Sequence, residues 1–172
     1  EVVKVLEKKS YNLYPFNKKK INFNSQGAKD NIHKILKKIN PDVIINASGI
    51  LGKNTDDYQK IYNINLMPNW EIIKFYKKIN IKKKLIIILL GSSAYKSGRK
   101  NYILYASSKA ALNNLCQGAR EYLNKKNIKI KLLNFGKIYT PMIKKYVRQN
   151  SPNVISPVEA ALKICKIFDK GI

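Results

Sequence analysis

The chain has 172 residues, which suits one domain of the usual ~100–150-residue size with a full hydrophobic core and is short for two. Apolar residues make up 45% and aromatics 10%, a composition that excludes a disordered chain. The net charge of +24 is of the kind that attracts polyanions, but it is carried almost wholly by Lys and is scattered among Asn and Ile, which fits a compositional bias better than a nucleic-acid surface.

In chain order, residues 2–8 read as the end of a helix, 11–16 as a short strand, 17–20 as a basic turn and 21–24 as another short strand. Ile32, Ile35, Leu36 and Ile39 lie on one face of a predicted helix over 28–39, which Pro41 stops. The β-branched run at 42–47 suits a strand buried on both faces. One long helix is expected over 56–80, with Thr55 as a cap and Pro68 bending its interior. A second buried strand covers 84–90, a loop runs from 91 to 102, and a helix rich in small residues (Ala106, Ala110, Ala111, Ala119) covers 104–124. A third strand at 128–134, a loop from Gly136 through Thr140 and Pro141, and a helix at 157–168 complete the order.

Cys116 and Cys165 fall in helices without metal or redox spacing, so they read as small apolar core residues, and no metal site is expected. His33 is the only histidine and reads as a solvated or core residue. No apolar run reaches the ~18–20 residues of a membrane span and no signal peptide opens the chain, so the expectation is a cytoplasmic protein without a membrane partner.

Strands alternating with helices imply an α/β domain: a parallel sheet, doubly wound, with helices on both faces. Ligands of such sheets bind beyond the carboxyl ends of the strands. That singles out Asn46 to Gly49, the segment after Gly91, and the segment after Asn134.

Tyr105 and Lys109 stand four apart at the start of a helix and project from one face. A cation near a phenol favours the phenolate and lowers a pKa that is ordinarily about 10, which fits the pair for moving a proton to or from a carbonyl oxygen. Ser92, thirteen residues before Tyr105 at the end of the preceding strand, can hydrogen-bond the same oxygen. Ser93 beside it is the alternative.

The run Asn46-Ala47-Ser48-Gly49, then Asn65, then Gly91-Ser92-Ser93, then Tyr105 to Lys109, then Asn134-Phe135-Gly136 through Thr140-Pro141-Met142 resembles the short-chain dehydrogenase/reductases over essentially the whole chain. Within that family, residues 91–99 and 105–111 resemble the reductase half of bifunctional cytidylyltransferase-reductases, which make CDP-ribitol for bacterial surface polysaccharides. The resemblance implies an NADP-dependent (NAD as the alternative) carbonyl reductase acting on a small carbonyl compound of the keto sugar phosphate type, ribulose 5-phosphate being the example. It makes Tyr105 the general acid, Lys109 the residue that holds the nicotinamide ribose and lowers the tyrosine pKa, Ser92 the group on the carbonyl oxygen, and Asn65 the holder of a water in the proton relay. Asn46, Ala47, Ser48 and Gly49 would lie against the adenine-side ribose, and Gly136, Ile138 and Thr140 around the nicotinamide. Lys18, Lys19 and Lys20 would suit a 2′-phosphate.

The family's Thr-Gly-x-x-x-Gly-x-Gly loop and first strand are not in these residues, so the expectation is a single domain truncated at its N-terminus and short of the last strand. Phe135 replaces the usual proline before Gly136. The competing expectation is a catalytically silent interaction subunit of the same fold. Relatives commonly pair through two long helices, here 56–80 and 103–124, so a homodimer or homotetramer is expected, with Ala106, Ala110 and Ala119 allowing close approach.

Overall fold

A computed structural model of the protein describes residues 2–8, 11–16, 21–25, 27–52 and 57–168. The elements run α1 (Val2–Glu7), α2 (Ala28–Ile39), β1 (Val43–Asn46), α3 (Tyr58–Asn65), α4 (Met67–Lys78), β2 (Leu85–Ser92), a 3-10 turn (Ser93–Lys96), α5 (Ile103–Leu123), β3 (Ile128–Phe135), β4 (Lys137–Ile138), β5 (Val154–Ile155) and α6 (Pro157–Phe168). β1, β2 and β3 form a parallel sheet in that order, and β4 and β5 form a small parallel pair beside it.

The central strand shows why both faces are covered. Leu85, Ile87 and Leu89 belong to one core with Ile32 and Leu36 of α2, Ile73 and Tyr76 of α4, and Leu112 and Cys116 of α5. Ile86 and Ile88 point the other way, into a second core with Leu6 of α1 and Ile164 and Cys165 of α6. Side chains of a strand alternate in direction, so a strand flanked by helix layers on both sides must be apolar without interruption. Burying the five residues from Leu85 to Leu89 contributes on the order of 10 kcal/mol before entropy is counted. The doubly wound α/β layout expected from the sequence is thus the one observed.

Local chemistry fixes the ends. Asn40 and Asn124 close α2 and α5 in the left-handed conformation that asparagine tolerates, their N–H groups bonding Leu36 O and Arg120 O. Ser156 and Glu159 form a reciprocal capping box ahead of α6, at 2.6 and 3.1 Å. Both cysteines are buried. His33 lies 3.2 Å from the carboxylate of buried Glu71, joining α2 to α4.

Three expectations change. Residues 11–16 and 21–24 are not strands: Tyr14 and Phe16 are exposed, Pro15 offers no N–H, and Asn22 turns the chain by accepting from Ser25 N and, through its side chain, from Asn24 N. The single long helix is two, α3 and α4, parted at Leu66 because Pro68 cannot donate to the carbonyl of Ile64. Asp57 rather than Thr55 caps α3, accepting from Gln59 N at 2.9 Å; Thr55 and Asp56 lie outside the described residues, as do Lys18, Lys19 and Lys20. Ala106 and Ala119 are core residues of this chain, which leaves Ala110 as the exposed one of the three small residues assigned to subunit contact.

Truncating Ile88, which is 0% exposed, removes contacts with the α1–α6 layer that no neighbour can replace. The expected cost of Ile88→Ala is about 3–4 kcal/mol, and that of Lys131→Ala on the exposed part of β3 under about 0.5 kcal/mol, both read from urea midpoints.

Candidate active site

The carboxyl ends of β1, β2 and β3 bring the singled-out residues to one edge of the sheet. Ser92 ends β2 directly opposite Phe135 of β3, and Asn46 ends β1 opposite Leu89. Gly91 pairs with Asn134, and a Cβ on Gly91 would stand 1.9 Å from Asn134 Oδ1, so a side chain there would displace the exposed Asn134 side chain.

Ser92 is half-buried and its Oγ accepts from Ala94 N at 3.2 Å, which fixes the hydroxyl at the strand end. It also hydrogen-bonds the Tyr105 hydroxyl. Ser93 points to solvent and starts the 3-10 turn, so of the two serines Ser92 alone reaches the tyrosine. Burial raises the Tyr105 pKa above its ordinary value of 10, and the Ser92 bond offsets only part of the rise. Lys109 Nζ lies 5.8 Å from the centre of the tyrosine ring and does not reverse the direction. The lowered phenol pKa expected from the Tyr–Lys spacing is therefore not found; Tyr105 is a neutral phenol with a proton to give.

Lys109 is 4% exposed. Its Nζ donates to Leu90 O at 3.0 Å, and burial lowers its pKa to about 8. The loop after β1 closes over it: a Cβ on Gly49 would lie 3.7 Å from Lys109 Nζ and 3.6 Å from Asn65 Oδ1.

Asn65 is wholly buried at the end of α3. Its Oδ1 accepts from Ile50 N at 2.8 Å, while Nδ2 donates to Ile50 O and to Ser108 Oγ, both at 3.0 Å. Ser108 in turn donates to Tyr105 O at 2.8 Å. With both amide hydrogens engaged, the Asn65 side chain is a clamp on the loop, and its main-chain carbonyl accepts from Asn69 Nδ2 at 3.0 Å.

Asn46 and Ser48 are held in the same network. Asn46 Oδ1 accepts from Ser48 N at 3.1 Å and Ser48 Oγ at 2.7 Å, and Asn46 Nδ2 donates to Asn69 Oδ1 at 2.7 Å. Ala47 is exposed on the loop's outer side. Asn69 and Ser108 are site residues that the sequence pattern did not single out. The available signal was the i+4 spacing of Asn65 and Asn69, which puts two amides on one helix face.

Gly136, Ile138 and Thr140 are less tightly gathered. Gly136 lines a cavity of about 300 Å³ with Asn134, Lys137, Asn153 and Lys163. Ile138 pairs with Ile155, and Thr140 O accepts from Ile143 N and Lys144 N. No hydrogen bond among the described residues joins these three to Ser92, Tyr105 or Lys109. Phe135, where the family has proline, packs into the core shared by α1 and α6. Among the described residues there is no cluster of His, Cys, Asp and Glu able to hold a metal ion, and no helix long and apolar enough to cross a membrane.

Residues 17–151 match the sequence pattern of the family described as short chain dehydrogenase. The chain belongs to that family, one of NAD(P)-dependent oxidoreductases. No curated protein matches this short chain dehydrogenase significantly. Solved structures do resemble it in fold. ElxO with NADP bound has 23% identity and a TM-score of 0.68, covering 83% of this chain and 68% of its own. A short chain dehydrogenase from Burkholderia cenocepacia J2315 in complex with NADP has 17% identity and a TM-score of 0.67, covering 84% and 62%. An NADH-dependent reductase responsible for alginate metabolism has 20% identity and a TM-score of 0.62, covering 80% and 61%. The chain thus spans about two thirds or less of the length of these structures.

A buried ammonium with one acceptor destabilises the fold wherever it is charged. The folded pKa of Lys109 lies below the unfolded value of 10.5, so the penalty is full below pH about 8 and fades as pH rises toward 10.5. Lys109→Met is expected to raise stability at pH 7 by about 1–3 kcal/mol in urea unfolding, and the gain should shrink between pH 8 and 10.

Proposed function

We propose that this chain reduces a carbonyl compound with NADPH, with Ser92, Tyr105, Lys109 and Asn65 arranged around the reacting oxygen. The observation that carries this reading is the hydrogen bond between Ser92 and a neutral Tyr105 beside a buried lysine ammonium. The cofactor assignment draws on the family and on the NADP named with ElxO and the Burkholderia protein.

The residues fit a nicotinamide nucleotide. Lys109 uses one N–H on Leu90 O, and the other two are available for a ribose diol. Gly49 lies beside it, where a Cβ would make van der Waals contact with Nζ at 3.7 Å. Asn46, Ala47, Ser48 and Gly49 would take the adenine-side ribose, and Gly136, Ile138 and Thr140 the nicotinamide. Bound there, the reduced cofactor supplies hydride to the carbonyl carbon. Ser92 and Tyr105 hold the carbonyl oxygen, and Tyr105 gives it a proton as negative charge develops. Its raised pKa keeps that proton in place at neutral pH. The cationic Lys109 stabilises the phenolate left behind, and a water held at Asn65 replaces the proton.

The narrower substrate class is a keto sugar phosphate. Lys96, Arg99 and Lys100 lie in the segment after β2, and Lys144, Lys145 and Arg148 in the segment after β4; neither segment contains Asp or Glu. The two are joined by Tyr102 and Tyr146, whose rings meet edge to face at 5.8 Å. Cations in both of these segments beyond the strands suit an anionic group on the substrate.

Two copies would associate through α4 and α5. Leu66, Met67, Trp70, Ala110, Ala111 and Leu115 line an apolar groove of about 630 Å³ there. Ala111→Glu is expected to shift the sedimenting species toward monomer; an unchanged coefficient would sink this assignment.

NADPH oxidation with ribulose 5-phosphate and other keto sugars tests the reading. The expected result is turnover that Tyr105→Phe lowers at least ~100-fold, with a rate that falls as pH rises through about 8 and Lys109 loses its charge. Turnover of uncharged ketones only would remove the sugar-phosphate assignment and leave the reductase. NADPH binding without turnover of any carbonyl would favour a silent subunit.

A further inference from the structure

We infer that Asn69 is a positioning residue that locks the cofactor-side loop to the broken helix, so that the loop, Asn65 and Lys109 keep one arrangement. The inference rests on the NADPH-dependent reading above, since it concerns the same site.

The break between α3 and α4 exposes two carbonyls inside the protein. Pro68 has no N–H, so Ile64 O loses its helical donor; the one Ser48 hydroxyl hydrogen, given mainly to Asn46 Oδ1 at 2.7 Å, is shared with it at 3.3 Å. One residue on, Asn69 N bonds Leu66 O at 3.0 Å, which leaves Asn65 O without its backbone donor. Asn69 Nδ2 supplies that bond from its side chain, also at 3.0 Å. The other end of the same amide, Oδ1, accepts from Asn46 Nδ2 at 2.7 Å. Asn69 is 2% exposed, so neither bond can be handed to water.

One amide therefore ties two parts of the site. Through Asn46, whose Oδ1 gathers Ser48 N and Oγ, it sets the loop that ends at Gly49 against Lys109. Through the Asn65 carbonyl it sets the residue whose side chain holds Ile50 and Ser108. Asn69 touches neither Tyr105 nor Lys109 and acts only through these neighbours.

The amide is needed in both senses, as acceptor and as donor, which an isosteric acid separates. Asp at 69 keeps an acceptor for Asn46 but can donate to Asn65 O only when protonated. Burial and the facing carbonyl raise its pKa, so the lock holds at low pH and opens as pH rises through that value. Glu71 on the same helix, Tyr62 on α3, and Tyr105 and Lys109 on α5 are common to both proteins and cancel in the comparison.

NADPH affinity, by fluorescence, and hydrogen exchange of the Ile50 amide are measured for the chain, Asn69→Ala and Asn69→Asp. The expected result is a Kd about tenfold higher in Asn69→Ala, which loses both buried hydrogen bonds of the amide. Asn69→Asp should approach the parent Kd at the lowest pH at which it is folded and weaken relative to the parent as pH rises. Ile50 exchange should accelerate at least about tenfold in Asn69→Ala relative to amides of β2. An unchanged Kd and unchanged Ile50 exchange would overturn the role of Asn69 while leaving the reductase reading intact. If the parent itself does not bind NADPH, that reading fails, and Ile50 exchange alone decides: acceleration sustains the lock, and no change removes it. Should Asn69→Ala not fold, the pH dependence of Asn69→Asp decides in its place.

Discussion

An ammonium group held almost out of water is the constraint on which the rest of the site depends. Removing such an ion from water costs several kcal/mol, and Lys109 recovers part of it from a single carbonyl. That carbonyl is free because of sheet register. Ile86 N bonds Asp42 O, so the even-numbered residues of β2 direct their backbone groups toward β1. β1 stops at Asn46, opposite Leu89, and Leu90 O therefore faces past its end. A β1 two residues longer would claim this oxygen for the ladder. The short first strand is thus what opens the place that Lys109 occupies.

The broken helix follows the same logic. A straight helix from Tyr58 to Lys78 would satisfy the carbonyls of its interior, Ile64 and Asn65 among them, and offer nothing to the loop after β1. Pro68 releases Ile64 O and the altered turn releases Asn65 O, and the loop and Asn69 supply the missing donors. Buried backbone groups are seldom left unpaired. Here the pairing is lent to tertiary structure, and the irregularity becomes the joint that fastens Asn46, Ser48 and Ile50 in place.

The sequence made the framework legible where a signal is local. Helix boundaries at Ala28–Ile39 and Pro157–Phe168 follow from apolar spacing with Asn, Pro and Ser at the ends, and the buried strands follow from uninterrupted Ile and Leu. The pairing of Ser92 with Tyr105 was legible because both lie at element ends that a parallel sheet must bring together. Residues 11–16 and 21–24 misled because β-prone side chains carry no information about whether a partner edge is available. The direction of the Tyr105 pKa was not legible either, since spacing shows that Lys109 is near and burial decides which effect prevails. Asn69 stayed hidden because an asparagine in a chain rich in asparagine looks like surface, and only packing reveals that both ends of its amide are used.

The lysine excess also has a structural side. Lys125 Nζ donates to Tyr76 O at 2.7 Å and Lys77 O at 3.3 Å and also reaches Ile79 O, closing the carboxyl end of α4. Lys77 donates to Tyr122 O at 2.7 Å in the last turn of α5. Lys83 reaches Asn40 O just past α2 and the Asp42 carboxylate at 2.9 Å. Helix carboxyl ends present unpaired carbonyls and partial negative charge, and cations stabilise them by about 0.3–1 kcal/mol each at exposed positions. With ten acidic side chains against thirty-four basic ones, carboxylates are too few to pair with these lysines, and backbone carbonyls at helix ends serve as acceptors instead. The ends closed in this way lie near the amino edge of the sheet, around Lys83 and Asn127, where Asn127 holds Ile81 O and Lys83 O. Charge of one sign thus meets backbone at both edges: at the amino edge exposed lysines close helix ends, and at the carboxyl edge the buried Lys109 donates to Leu90 O.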